Sequence, residues 1–96
     1  LNLDLNSRHL SFKIKNNTKA LWINLDPINK HGIELINSNT GTKLLSCAVP
    51  FGGTVEYTFT TPGNYLFFDQ DHKKAGKIIV SSSIDMSNVL NNKLSS

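Results

Sequence analysis

Apolar and polar residues alternate one for one along much of the chain. Leu1, Leu3 and Leu5 are separated by Asn2 and Asp4, and Leu10, Phe12 and Ile14 by Ser11 and Lys13. A period of two sends successive side chains to opposite faces of an extended segment, so both stretches read as half-buried strands. Asn16-Asn17 then supplies a turn. Thr18 to Leu25 is a β-rich run in which Trp22 is the largest core candidate. Asp26-Pro27 ends it, because proline removes a ladder donor and restricts the residue before it. Next, His31, Ile33 and Leu35 share one face, and Gly32, Glu34 and Ile36 the other.

After the polar loop Asn37 to Thr42, Leu44 to Val49 shows no clean period, and Pro50 with Gly52-Gly53 closes it. The clearest alternation is Val55, Tyr57 and Phe59 against Thr54, Glu56 and Thr58. Thr61-Pro62-Gly63-Asn64 reads as a tight turn between that strand and a last pair, Tyr65 to Phe68 and Lys77 to Val80. Seven or eight short strands with turn signals between them predict an all-β, antiparallel Greek-key sandwich or barrel. One domain is expected over residues 1–81, followed by a terminal segment, 82–96. There Met86, Leu90 and Leu94 follow Asp85 at helical spacing. That segment is either a short amphipathic helix for a partner or a frayed tail.

Composition narrows the function classes. Ninety-six residues allow one hydrophobic core. No apolar run approaches the roughly 20 residues of a membrane-spanning helix. A single Cys excludes both a disulfide framework and a multi-cysteine zinc site. A net charge of +3 is too mild for a dedicated nucleic-acid binder. No nucleophile elbow, paired carboxylates, phosphate loop or HExxH is present, so catalysis is not expected. The chain begins at Leu1, which reads as a mature or trimmed product with any export signal already removed. Asn16-Asn17-Thr18 matches a glycosylation acceptor, meaningful only in a eukaryotic secretory setting.

One segment carries a resemblance. Thr60 through His72, with Pro62-Gly63, Tyr65 and the aromatic run to Phe68, closed by Gly76-Lys77-Ile78-Ile79-Val80, is similar to the last hairpin of a cupredoxin. Trp22-Ile23-Asn24 followed by His31-Gly32-Ile33 resembles that family's first-ligand segment. The likeness runs over roughly residues 10 to 80. It implies the plastocyanin-like fold, a metal at one end of the sandwich, and a periplasmic or secreted location. Both family His positions are retained, as His31 and His72. The ligand Cys is replaced by Asp69, the following loop is shortened, and no axial Met is present, Met86 lying in the tail.

Those replacements change the chemistry. A blue copper centre needs a thiolate, with a weak axial thioether. Two imidazoles and a carboxylate form a harder set that suits Cu(II), or Zn(II), and disfavours Cu(I). His31 shares parity with Ile33 and Leu35, and Asp69 with Tyr65 and Phe67, so both polar side chains are expected to point inward at one end. The competing reading is a buried hydrogen-bonded pair that replaced a lost metal site.

Cys47 belongs to a segment expected near the rim of that site. As a lone Cys it reads first as a small buried hydrophobe, with metal ligation or pairing to another chain as alternatives. His9 is expected on the surface. Lys30, Lys73, Lys74 and Lys77 are expected to crowd the site, lowering the pKa of a nearby His by like-charge repulsion. Lys73 and Lys74 then offer a docking face for an acidic partner, or simply a solvated rim.

The leading expectation is therefore a cupredoxin-like protein that binds copper in a non-blue site of His31, Asp69 and His72, for copper binding or handling. A metal-free β-sandwich interaction domain of an envelope or secretion assembly is the alternative. Electron transfer through a Cys47-containing site is the third reading.

Overall fold

The computed structural model describes residues 1–7, 11–69 and 74–82. Among the described residues there are eight strands: β1 (Asn2–Asp4), β2 (Ser11–Lys15), β3 (Thr18–Ile23), β4 (His31–Asn37), β5 (Lys43–Val49), β6 (Thr54–Phe59), β7 (Gly63–Asp69) and β8 (Lys74–Ser81). They form a three-stranded sheet, β1-β3-β6, and a five-stranded sheet, β2-β8-β7-β4-β5. His9, His72, Lys73 and the tail residues Met86, Leu90 and Leu94 lie outside the described residues, as does the side chain of Lys74.

Four strand pairs are antiparallel: the hairpins β4-β5 and β7-β8, and the non-consecutive pairs β3-β6 and β4-β7. The turn at residues 61–64 carries the chain from β6 in one sheet to β7 in the other. Two pairs depart from the all-antiparallel expectation. β1 runs parallel to β3 and β2 parallel to β8. Consecutive β1 and β2 enter different sheets. Neither is hairpinned to its neighbour in the sheet, so chain direction at those edges is set by tertiary packing.

The alternation explains the burial. Along β7, Tyr65, Phe67 and Asp69 are buried while Leu66 and Phe68 are half-buried on the other face. Ala20 and Trp22 of β3, Phe59 of β6, Ile33 and Leu35 of β4, and Ile78 of β8 complete the layer between the sheets. Trp22 meets Phe67 edge-on across that layer, with ring centroids 5.6 Å apart, and Phe59 meets Tyr65 at 4.8 Å. Such edge-to-face contacts add to area burial. Trp22 Nε1 is buried and has no hydrogen-bond partner among the described residues, so packing holds the indole. Gly76 stands opposite Phe67, and a Cβ there would come within 2.2 Å of the ring, so this position requires glycine.

The turn before β7 is fixed by Tyr65, whose hydroxyl donates to the Thr61 carbonyl at 2.6 Å. β5, which showed no period in the sequence, is the outer strand of its sheet. Most of its side chains are exposed or half-buried on both faces, so alternation has no reason to appear.

Candidate functional site

The site is built where the β3–β4 connection meets the start of β4 and the end of β7. β3 sends Ala20 and Trp22 inward, and the same parity carries on past its end to Asn24 and Asp26, both buried. Asn24 ties two connections together. Its Nδ2 donates to the Val49 carbonyl at 2.8 Å, its Oδ1 accepts from Asp26 N at 2.8 Å, and its carbonyl accepts from Gly52 N at 2.7 Å. The left-handed φ of +79° at Gly52 lets the chain turn back for that last bond.

His31 and Asp69 are brought together as the parity predicts. His31 Nδ1 is hydrogen-bonded to Asp69 Oδ2, and Asp69 Oδ1 also accepts from Gly32 N at 3.3 Å. The other ring nitrogen, Nε2, meets Asp26 Oδ2 at 2.9 Å. The imidazole therefore lies between two carboxylates, with all three side chains almost wholly removed from solvent. Asp26 is gripped further: its Oδ1 accepts from Ile28 N and Asn29 N, and its Oδ2 from Asn29 Nδ2.

Burial by itself lowers the pKa of His31, but the hydrogen bonds to Asp26 and Asp69 and their charges outweigh it and hold the ring above its ordinary 6.5. The expectation that surrounding lysines lower the pKa of the site histidine is overturned for His31. Its near neighbours are carboxylates, whereas Lys77 stands exposed opposite Leu66 on β7. The bond from His31, helped by the Ile28 amide and by the side chain and amide of Asn29, holds Asp26 far below the usual carboxylate range.

Cys47 corrects a second expectation. It is exposed, not buried. It pairs with Ile33 on β4, and Ile33 pairs with Asp69 on β7. Two strand spacings, about 10 Å, therefore separate the Cys47 and Asp69 backbones, with the Ile33 side chain between. The chain's one thiol is not gathered with His31 and Asp69.

A cavity of about 550 Å³ opens beside the Asp26 flank of the imidazole, lined by His31, Asp26, Val49, Pro50, Phe51 and Ile28 among others. Ile28, Phe51 and neighbouring Leu25 are the large apolar side chains most exposed to solvent among the described residues. The segment expected at the rim thus reaches it through Val49, Pro50 and Phe51.

The site residue that sequence reading missed is Asp26, taken only as a chain breaker with Pro27. Its signal was the inward parity Ala20, Trp22, Asn24, Asp26. As metal donors, His31 Nδ1 and Asp69 Oδ2 are an imidazole nitrogen and a carboxylate oxygen facing one another, a pair that fits Cu(II) or Zn(II) but not a blue centre. Asp26 lies across the ring from Asp69. Among the described residues, no three His, Cys, Asp or Glu side chains surround one point where an ion could sit.

Neither a family model nor a curated protein matches the sequence. Solved structures do match in shape. A methionine-to-alanine mutant of amicyanin in its Cu(I) form gives a TM-score of 0.71 at 20% identity, covering 84% of this chain and 81% of that one. A proline-to-glycine mutant of amicyanin, reduced at pH 4, gives 0.71 at 19% identity with the same coverage. An oxidized methionine-to-lysine mutant gives 0.69 at 21%, again with the same coverage. The two-sheet, all-β architecture is the cupredoxin-like fold.

Proposed function

We propose that this chain is a non-catalytic, copper-handling protein of the periplasm or cell exterior, taking Cu(II), or alternatively Zn(II), through His31, Asp69 and His72. The observation that carries the reading is the meeting of His31 Nδ1 with Asp69 Oδ2 in a buried site. His31 and Asp69 would supply an imidazole nitrogen and a carboxylate oxygen to such an ion, the two donors parting to admit it. His72 lies three residues beyond Asp69 in the sequence, at most about 11 Å along the chain, and is the third donor of the proposal. Cu(II) held without a thiolate would form a non-blue centre, the chemistry of capture or delivery of the ion and not of blue-copper electron transfer.

Titration with Cu(II), followed by calorimetry and electron paramagnetic resonance, tests the reading. Stoichiometric binding with nitrogen couplings and no intense visible band is the expected result, lost in His31→Ala and His72→Ala. Affinity no better than that of a control peptide overturns it.

A metal-free interaction module is the second reading. It is supported by the exposed Leu25, Ile28 and Phe51 beside the cavity, and by an imidazole already satisfied by two carboxylates. Under it, His31→Ala leaves partner capture intact, whereas truncation before Ser82 or charge reversal at Lys73 and Lys74 abolishes it.

A further inference from the structure

We infer that Asp26 is a positioning residue for the proposed metal site, fixing through Nε2 of His31 which ring nitrogen is presented to the ion. The inference rests on the reading of His31 and Asp69 as ligands, and it concerns a residue outside that ligand set.

The geometry around Asp26 leaves one assignment of protons. Oδ1 accepts from Ile28 N at 2.9 Å and Asn29 N at 3.2 Å, and Oδ2 accepts from Asn29 Nδ2 at 3.0 Å. A carboxylate held by three such donors is an acceptor toward its fourth neighbour as well. His31 Nε2, 2.9 Å from Oδ2, is therefore the nitrogen that carries a proton. The opposite assignment sets a nitrogen lone pair against a carboxylate oxygen at a contact almost wholly buried. With Nε2–H committed to Asp26, only Nδ1 is free to exchange its proton for an ion, and Nδ1 is the nitrogen that faces Asp69.

A carboxylate behind a ligating imidazole fixes the ring's orientation and makes it a stronger donor; loss of such a partner typically weakens metal binding by about 10–100-fold. Asp26 is itself rigidly mounted. Its amide is held by Asn24, whose side chain and backbone bridge to Val49, Gly52 and Gly53 in the neighbouring connection. Two loops thus set one ring, and the cavity lies on the Asp26 side of it.

Asp26→Asn separates positioning from mere loop capping. The amide oxygen retains the two backbone donors at Ile28 and Asn29, because turning the amide over sets its NH2 group against both of them. The amide nitrogen then faces both His31 Nε2 and Asn29 Nδ2. Exposed Asn29 can turn its own amide over to accept, whereas the buried ring relieves the clash of donors by shedding its Nε2 proton and keeping the one on Nδ1.

Two measurements test this. Nitrogen-15 NMR of the metal-free protein at pH 6 is expected to show Nε2 of His31 protonated in the wild type and unprotonated in Asp26→Asn. Cu(II) affinity is expected to fall about 10–100-fold in the variant, with altered nitrogen couplings. An Nε2 proton retained in the variant, or wild-type Cu(II) affinity in it, overturns the inference. If the wild type itself takes up no Cu(II), the metal reading fails, while the ring protonation still decides whether Asp26 sets the imidazole. Should the variant not fold, the wild-type spectrum decides: a slowly exchanging Nε2–H supports the assignment, and its absence at pH 6 overturns it.

Discussion

Asp69 stands opposite Ile33 in the β4–β7 ladder, yet its carboxylate reaches past that partner to hold both the Gly32 amide and the His31 ring. One side chain at the end of β7 thereby ties down the start of β4 and neutralises the buried imidazole. β7 is a central strand of its sheet, so the carboxylate is delivered from the most constrained part of the fold.

Removing Asp69 leaves the His31 imidazolium with one counter-charge and the Gly32 amide with no acceptor from Asp69. Breaking a buried charge pair from one side costs on the order of 3–5 kcal/mol. Asp69→Ala is expected to lose stability of that order in urea unfolding of the metal-free protein at pH 6. A loss under about 1 kcal/mol would show that the bond contributes little.

Stability should depend on pH in a defined window. The folded pKa of His31 is raised, so its contribution is complete below 6.5 and is lost as pH rises through the higher folded value. The folded pKa of Asp26 is depressed, so its contribution is present above 3.8 and is lost as pH falls through the lower folded value. Urea midpoints measured in chelator should therefore be highest between 3.8 and 6.5 and fall on either side. A midpoint that climbs steadily from pH 6 to 9 contradicts the clamp.

Gly76→Ala places a methyl group in the Phe67 ring, with only 2.2 Å to the nearest ring carbon. Overpacking of this kind costs about 1–3 kcal/mol. Thermal unfolding should show that loss, and Phe67→Leu in the same chain should recover part of it. Additive losses in the double variant would mean that the two positions do not compete for space.

Cys47 is exposed on the outer strand of its sheet, so a thiol reagent should label it fully in the native protein without denaturant. Cys47→Ser should leave Cu(II) affinity and the resonance spectrum unchanged. A coloured copper adduct that disappears in Cys47→Ser would instead revive the electron-transfer reading.

Parity made much of this legible. The alternation of Tyr65, Phe67 and Asp69, and of His31, Ile33 and Leu35, is a local property of extended backbone. It fixed which side chains turn inward before any partner was known. Cys47 shows where parity stops. It shares the inward face with Val49, but the facing sheet consists only of β1, β3 and β6, and the thiol is left uncovered.

The sequence by itself determined that short strands would alternate around an apolar layer, that His31 and Asp69 would face it, and that no thiolate stands in the hairpin. Each of these follows from residue type and a two-residue period. Tertiary structure alone decided the parallel pairing of β1 with β3 and of β2 with β8, the exposure of Cys47, and the role of Asp26. An acidic residue before a proline becomes the partner of an imidazole only when the chain folds back around it, and that closure is a matter of distance in space, not of order along the chain.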